Sequence, residues 1–200
     1  TKKEIGLTFG NALRSILRQD PDIVMIGEIR DTETAEIAVE AALTGHQVLS
    51  TMHCNDAPGA IARLDDMGIA PFLISSSVIL SCAQRLVRKI CVTCKDTVTY
   101  PPEIFRDLNV PPSYFDGVTL FRGRGCERCN NSGYSGRTAI VEAMTVTDEI
   151  RKIIIARGSA MEIGKIAVAQ GMKTLRNVAL EKAKEGVTTL EQTLVITASH

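Results

Sequence analysis

One short apolar run restricts the fold of this chain more than any other feature. Residues 23–26 read Ile-Val-Met-Ile, with Pro21 shortly before them and Gly27 and Glu28 directly after. Pro21 ends any preceding helix, and four apolar residues that can be buried on both faces are typical of a central strand in a parallel sheet. Ligands of such sheets bind beyond the carboxyl ends of the strands, so Glu28 is a candidate for binding a phosphate-bound magnesium ion or an attacking water. The alternative is a core strand followed by an ordinary surface glutamate.

A second short strand pattern lies within residues 44–56, bracketed by His46 and His53. The residues from Asp31 to Gly45 have a polar start, small apolar residues at helical spacing and a glycine stop, as expected of a helix. Two strands joined by a helix predict a parallel βαβ unit. An imidazole at a strand end can exchange hydrogen bonds with a phosphate oxygen, which makes both histidines candidate site residues. Lone histidines are, however, more often packed or exposed without such a role.

An amphipathic helix is predicted ahead of the first strand, with Thr8 as its N-cap. Its apolar residues recur at helical spacing at Phe9, Ala12, Leu13, Ile16 and Leu17. Arg14 and Arg18 are four residues apart on its other side. There they could approach a nucleotide phosphate or an acidic neighbour, or simply be solvated.

Two further helices are predicted after the second strand. Asp56 is expected to cap a helix that ends at Gly68. Pro71 is expected to start a longer apolar helix that runs through Leu80 toward Leu86. Both helices are interpreted as scaffold.

The remaining chain outside the cysteine region mixes strand and helix patterns. Residues 84–90 alternate charged and apolar side chains like a strand, and residues 138–146 have the pattern of a strand that returns to the main sheet. From there on the pattern is helical. One predicted helix contains Ile150, a second is capped by Thr174, and a third begins at a capping box in residues 188–191.

Four of the six cysteines form two Cys-x-x-Cys pairs: Cys91 with Cys94, and Cys126 with Cys129. Each such turn holds two thiolates near tetrahedral geometry, and two turns complete a four-sulfur zinc site with no open position for water. Such a site is structural. The spacer, residues 95–125, is longer than the roughly 15–20 residues of a zinc ribbon, so it is expected to fold as its own lobe.

The cysteine pairs also allow two disulfides, two redox pairs or an iron centre. The sequence contains no secretory signal pattern, and the two further cysteines, Cys54 and Cys82, do not suggest a disulfide framework. Disulfides are therefore disfavoured. Cys54 and Cys82 themselves are expected to be buried thiols.

Overall charge and hydropathy exclude some classes of protein. The 23 basic residues balance the 23 acidic ones, which gives no reason to expect a nucleic-acid or membrane-surface partner. No apolar run reaches the roughly 18 residues that a membrane span needs. The first residue is Thr1, so a natural start is expected upstream.

One glycine-lysine pattern resembles a phosphate-binding loop but does not match it. Five residues rather than four separate Gly158 from Gly164-Lys165, and Ile166 stands where a Ser or Thr would hold magnesium. Its surroundings are helical in pattern. No Gly-x-x-x-x-Gly-Lys-Ser/Thr match occurs elsewhere in the sequence.

Taken together, these motifs resemble the secretion ATPases of type II secretion and type IV pilus assembly, over essentially the whole chain. The resemblance rests on residues 13–22, 27–31, 44–46, 50–53 and 83–88. The four-cysteine lobe and residues 133–137 and 185–191 are similar to the secretion and pilus-extension members rather than to the retraction motors.

The resemblance implies a bacterial, cytoplasmic motor that forms homo-hexamers, hydrolyses ATP with Mg²⁺ and acts on an inner-membrane platform protein. Glu28 matches the Walker B glutamate, expected to act on magnesium and the hydrolytic water. His46 and His53 match the two histidines of the family's His box, and the second is expected near the terminal phosphate. Arg14 and Arg18 match arginines of the helix before Walker B, with a supporting charge role. Cys54 departs from the usual threonine after the second histidine.

The implied fold class is α/β: part of a RecA-like P-loop ATPase core, lacking the P-loop, with an inserted zinc-binding lobe and a C-terminal helical subdomain. Residues 1–90 and 137–146 are assigned to the C-terminal part of the core, residues 91–136 to the lobe, and residues 147–200 to the helical subdomain. Without a phosphate loop the 200-residue chain alone is expected to be inactive.

A rival hypothesis is a zinc-bearing docking module that binds partner proteins and performs no catalysis. A third is a nucleic-acid motor that shares the same nucleotide-binding sheet, which the neutral charge balance disfavours. A phosphate loop encoded roughly 60 to 90 residues upstream of Thr1 would separate the motor from the docking module.

Overall fold

A computed structural model of the chain describes residues 9–197. Its strands are β1 (Ile23–Ile26), β2 (Gln47–Ser50), β3 (Leu80–Ile90), β4 (Lys95–Thr97), β5 (Phe121–Gly123) and β6 (Tyr134–Thr145). Its helices are α1 (Phe9–Leu17), α2 (Thr32–Leu43), α3 (Ala57–Asp66), α4 (Pro71–Ser77), α5 (Pro102–Asp107), α6 (Asp148–Ile155), α7 (Ala160–Ala169), α8 (Leu175–Lys184) and α9 (Leu190–Thr197). The predicted cap at Thr8 lies outside the described residues.

The predicted parallel βαβ unit is confirmed. β1 and β2 pair in parallel, with Ile23 opposite Gln47 and Ile26 opposite Ser50. α2 joins them, and the Asp31 carboxylate caps it by accepting a hydrogen bond of 2.8 Å from the backbone N–H of Thr34. This unit belongs to the first of two compact units, which contains residues 9–81 and 144–171 of the described chain.

The prediction that β1 is buried on both faces is wrong for the described residues. Val24 and Ile26 are buried, whereas Ile23 is 60% and Met25 is 76% exposed. Successive side chains of a strand point to opposite faces, and β1 and β2 are the only strands of this sheet in the described part of the chain. One face is therefore covered and the other is open.

The helix predicted from Pro71 toward Leu86 is also wrong in its length. α4 ends at Ser77, where the hydroxyls of Ser76 and Ser77 donate to carbonyls one turn earlier, a contact that weakens and bends helices. From Leu80 onward the chain is extended, so β3 starts four residues before the strand predicted at residues 84–90. β3 pairs with β6, the strand predicted at residues 138–146.

The second compact unit contains residues 82–143 and 172–197 of the described chain. β4 and β5 form a short antiparallel sheet, with Lys95 opposite Gly123 and Thr97 opposite Phe121. The region between the cysteine pairs packs with α8 and α9 around one apolar core. The buried members of this core are Tyr100, Ile104, Leu108, Phe115, Leu120, Leu180, Ala183 and Leu190.

The closing helical region differs in two details from the prediction. α7, which the sequence analysis does not name, begins at a capping box in which Ser159 and Glu162 exchange hydrogen bonds with each other's backbone N–H groups. The cap of α9 is Thr189 rather than Thr188, because the Thr189 hydroxyl accepts from the backbone N–H of Gln192.

The helices within residues 147–197 belong to both compact units. α6 and α7 belong to the first unit, and α8 and α9 to the second. Among the described residues, none of the helices has both the length and the apolar composition that a membrane crossing requires.

Candidate functional site

Glu28 and His53 lie side by side at the carboxyl end of the βαβ unit. Glu28 follows β1 after Gly27, and His53 follows β2 after two residues. Because β1 and β2 are parallel, both side chains emerge at the same edge of the sheet. The His53 Nε2 atom is 3.2 Å from the Glu28 Oε2 atom. The two residues that the sequence analysis placed at one site are therefore in contact.

Arg30 is a third member of this cluster that the sequence analysis did not assign to the site. Its guanidinium forms an ion pair with the other carboxylate oxygen of Glu28. A hydrogen bond from Arg30 lowers the pKa of Glu28, partial desolvation opposes this, and the charge of Arg30 and the contact with His53 lower the pKa further. The Glu28 side chain is 32% and the His53 side chain 89% exposed, so the ionised carboxylate is accessible from solvent.

Thr51 connects the two segments that carry Glu28 and His53. Its hydroxyl donates a hydrogen bond of 2.6 Å to the carbonyl oxygen of Gly27. Its own carbonyl oxygen accepts a hydrogen bond of 2.9 Å from the backbone N–H of Ile29. The sequence alone did not indicate a role for Thr51, because both contacts depend on how β1 and β2 are aligned.

His46 is not brought together with His53. It precedes β2, at the opposite end of the strand, where its Nδ1 atom is 3.0 Å from the carbonyl oxygen of Ala41 and 3.1 Å from the hydroxyl of Thr44. These contacts tie the imidazole to the last turn of α2.

The two arginines of α1 have different surroundings. The Nη1 atom of Arg14 is 2.8 Å from the Oε1 atom of Glu33, in the first turn of α2. The acidic neighbour that the sequence analysis allowed for Arg14 is therefore Glu33. Within the described chain, the side chain of Arg18 forms no ion pair.

The four cysteines of the Cys-x-x-Cys pairs converge, as predicted. Their sulfur atoms all lie within 4.8 Å of one another, and Cys91, Cys94 and Cys129 are buried. The Sγ atoms are 3.9 Å apart for Cys91 and Cys126, 3.8 Å for Cys94 and Cys129, and 3.7 Å for Cys126 and Cys129. Four sulfurs at about 2.3 Å from a tetrahedral zinc ion would be roughly 3.8 Å apart, so the donor set fits zinc in chemistry and in size.

The backbone around the second cysteine pair places N–H groups next to the Cys129 sulfur atom. Asn130 and Asn131 are left-handed, with φ of 49° and 58°, and turn the chain back toward the cluster. Burial disfavours ionisation of Cys129, but backbone N–H groups of Cys126 and Gly133, each 3.3 Å from its sulfur, lower the pKa of Cys129 to about 6. Such N–H groups stabilise the thiolate that a metal ligand must provide.

The two remaining cysteines are less buried than predicted. Cys82 is exposed and Cys54 is half-buried, although burial still raises the pKa of the Cys54 thiol. In β3 the alternation of side chains turns Ser81 and Ala83 inward and Cys82 outward. None of the six cysteines is joined to another in the structure.

The fold places the chain in a class of proteins, because the structure resembles two solved proteins, an ATPase and a pilus motor. It matches the ATPase DotB of Legionella pneumophila with a TM-score of 0.66 at 23% sequence identity, covering 97% of this chain and 43% of that one. It matches the pilus retraction motor PilT with bound ADP with a TM-score of 0.65 at 25% identity, covering 95% of this chain and 43% of that one. The chain thus has an α/β fold that it shares with ATPase domains.

Residues 1–195 match the sequence model of the type II/IV secretion system proteins, and the chain belongs to this family. It is 55% identical over 194 residues to the type IV pilus assembly ATPase PilB of Thermus thermophilus, covering 97% of this chain and 22% of that protein. It is 50% identical to the type IV pilus assembly ATPase PilB of Myxococcus xanthus, covering 98% of this chain and 35% of that protein. It is 49% identical to the type II secretion system protein E of Pseudomonas aeruginosa, covering 97% of this chain and 38% of that protein. The resemblance drawn from the motifs is confirmed. The chain spans between 22% and 38% of the length of these relatives.

Proposed function

We propose that this chain is part of a hexameric ATPase that converts ATP hydrolysis into work for type II protein secretion or type IV pilus assembly. Family membership supports the proposal, since the similar curated proteins are secretion and pilus assembly ATPases. The single structural observation that carries it is the 3.2 Å contact between His53 and Glu28 at the carboxyl edge of a parallel βαβ unit.

Glu28 acts as the Walker B carboxylate of this ATPase. Mg²⁺ in nucleotide sites keeps several waters and binds one or two carboxylates, so an accessible carboxylate with a lowered pKa is a suitable partner for the hydrated ion or for the hydrolytic water. His53, as its direct neighbour, lies near the terminal phosphate and exchanges a hydrogen bond with it. The Mg²⁺ ion would neutralise the charge that develops on the phosphates.

For the other candidate nucleotide-binding residues, the observed contacts support local roles. His46 contacts the end of α2, and Arg14 pairs with Glu33. Each contact uses one nitrogen atom of the side chain, so a nucleotide role for His46 or Arg14 would rest on its other nitrogen atoms. Arg18 is the candidate without an ion pair among the described residues, and it supplies supporting charge.

The four-cysteine cluster holds a zinc ion in a structural role. Four thiolates leave no coordination position for water, so the metal takes no part in hydrolysis. Its contribution is to join the two Cys-x-x-Cys turns of a lobe whose apolar core includes residues of α8 and α9.

We call the longer protein of which this chain is a part the parent protein. It works in the cytoplasm as a homo-hexamer on an inner-membrane platform protein of the secretion or pilus machine. The names of the similar proteins support the link to a secretion or pilus machine. No nucleic-acid partner is proposed, since basic and acidic residues balance. The 200-residue chain contains no Gly-x-x-x-x-Gly-Lys-Ser/Thr motif, so by itself it has no appreciable ATPase activity.

The decisive experiment measures ATP turnover by the longer parent protein and by its Glu28→Gln variant. The variant should lose turnover, because it loses the negative charge next to His53, while a Glu36→Gln control, which changes an exposed glutamate of α2, should hydrolyse ATP like the parent. Equal turnover by parent and Glu28→Gln would refute the proposed role. A parent that binds partner proteins but hydrolyses no ATP would instead support the zinc-bearing docking module.

A further inference from the structure

The parallel pairing of β1 and β2 ends two residues before Glu28 and three residues before His53. Ile26 and Ser50 are the last paired positions, and Glu28 and His53 both lie beyond them. Past this point Thr51 makes the two connections between the segments, one to the carbonyl of Gly27 and one from the N–H of Ile29. The residues on both sides of Glu28 are thus bonded to Thr51, the residue that directly follows β2.

Two hydrogen bonds make this connection. A methyl group built on Gly27 would meet no atom within 4 Å, so the space beside its Cα is open among the described residues. Thr51 itself is exposed and contributes little apolar burial. Its hydroxyl donates to the Gly27 carbonyl and so restrains the start of the Glu28 segment.

We propose that Thr51 is a positioning residue for the hydrolytic step: its hydroxyl holds Glu28 at the distance from His53 that catalysis requires. This inference rests on the proposed ATPase function and deepens it. In this role Thr51 has no direct part in binding substrate or metal. It acts through the Gly27 carbonyl on the carboxylate of the following residue.

The test compares hydroxyl-bearing and hydroxyl-free residues at position 51 in the longer parent protein. Thr51→Val keeps the shape of the side chain but removes the donor, and it should lower kcat on the order of 10- to 100-fold, as expected when a reacting group is displaced by about 1 Å. The KM for Mg-ATP should stay within about twofold, because binding contacts are not removed. Thr51→Ser keeps the donor and should restore kcat to within about threefold of the parent.

A matched control shows whether the loss of any exposed threonine hydrogen bond lowers kcat, or only the loss of the one at Thr51. The hydroxyl of Thr32 donates to the carbonyl of Met67 at 3.0 Å, another exposed contact between distant residues of the first unit. Thr32→Val should therefore leave kcat unchanged. If Thr51→Val does not fold, the pair Thr51→Ser and Thr51→Ala gives the same comparison, and equal kcat values in that pair overturn the proposal.

The outcomes distinguish this inference from the proposed function. A parent that does not hydrolyse ATP, or whose Glu28→Gln variant is fully active, contradicts the ATPase assignment. A parent that depends on Glu28 while Thr51→Val retains the kcat of the parent overturns only the positioning role. A Thr51→Ser variant as slow as Thr51→Val also overturns it, because serine retains the donating hydroxyl.

Discussion

The buried carboxylate of Glu142 accepts a hydrogen bond from the backbone N–H of Leu175, with 3.1 Å between Oε2 and N. Glu142 lies in β6 and is 3% exposed, and Leu175 is the first residue of α8. The first N–H groups of a helix have no partner within the helix, and its N-terminus favours negative charge. This contact joins a strand to a helix that is more than thirty residues further along the chain.

Replacing Glu142 should therefore destabilise the second unit. Glu142→Leu leaves a buried N–H without this acceptor, which costs on the order of 1–3 kcal/mol of unfolding free energy. Glu142→Gln keeps an acceptor oxygen and should lose less. Urea unfolding of the two variants measures the difference, and a Glu142→Leu variant as stable as the parent would rule out the capping role.

The pKa of Glu28 should depend on Arg30. The pKa of Glu28 is lower in the folded chain than in the unfolded chain. The ion pair of Glu28 with Arg30 therefore stabilises the fold at pH values above the pKa of an unfolded glutamate. This stabilisation is lost as the pH falls through the lowered pKa of the folded chain. Arg30→Met should raise the pKa of Glu28 toward the ordinary value. A ¹³C NMR titration of the Glu28 carboxyl group measures it directly.

The Arg14→Met variant is the control for that titration, since Arg14 pairs with Glu33 rather than with Glu28. It should leave the Glu28 titration unchanged. An Arg30→Met variant that titrates like the parent would show that the ion pair does not determine the pKa of Glu28.

Metal analysis should find about one zinc ion per chain. Structural zinc supplies folding free energy, so a chelator or the Cys126→Ser change should lower the melting temperature. Cys82→Ser is the matched control, because Cys82 is exposed and lies outside the cluster. A folded protein free of zinc, or a Cys126→Ser variant that melts like the parent, would remove the zinc site.

Gly186→Ala should destabilise the second unit more than Gly117→Ala does. Both glycines are left-handed, with φ of +66° and +73°, so both changes carry a backbone penalty of about 1–2 kcal/mol. A methyl group at Gly186 would also lie 2.7 Å from Phe121 and from the Lys95 ammonium, which donates to the Gly186 carbonyl, whereas one at Gly117 would meet nothing within 4 Å.

The extra penalty for Gly186→Ala should be about 1–3 kcal/mol, the usual effect of overpacking. Thermal or urea unfolding of the two variants gives the comparison. Equal losses would mean that the loop before α9 moves freely away from β4 and β5.

Much of the fold follows from local sequence. The apolar run at residues 23–26 and the polar caps at Asp31 and Asp56 determine a strand, a helix and their order, because these preferences act over a few residues. The two Cys-x-x-Cys turns likewise fix which thiols can share a metal. The contact between Glu28 and His53 was predictable because the carboxyl ends of adjacent parallel strands share one edge.

Tertiary structure alone decided the features that depend on distant partners. β3 begins at Leu80 because it pairs with β6, which lies far along the chain. One face of β1 is open because no other segment of the described chain covers it. The residues next to β1 and β3 do not encode either feature. The positions of Arg30 and Thr51 around Glu28 follow from strand register and side-chain direction. A local pattern fixes which backbone shape is favoured, whereas hydrogen-bond partners and burial are set only when segments far apart in the chain come into contact.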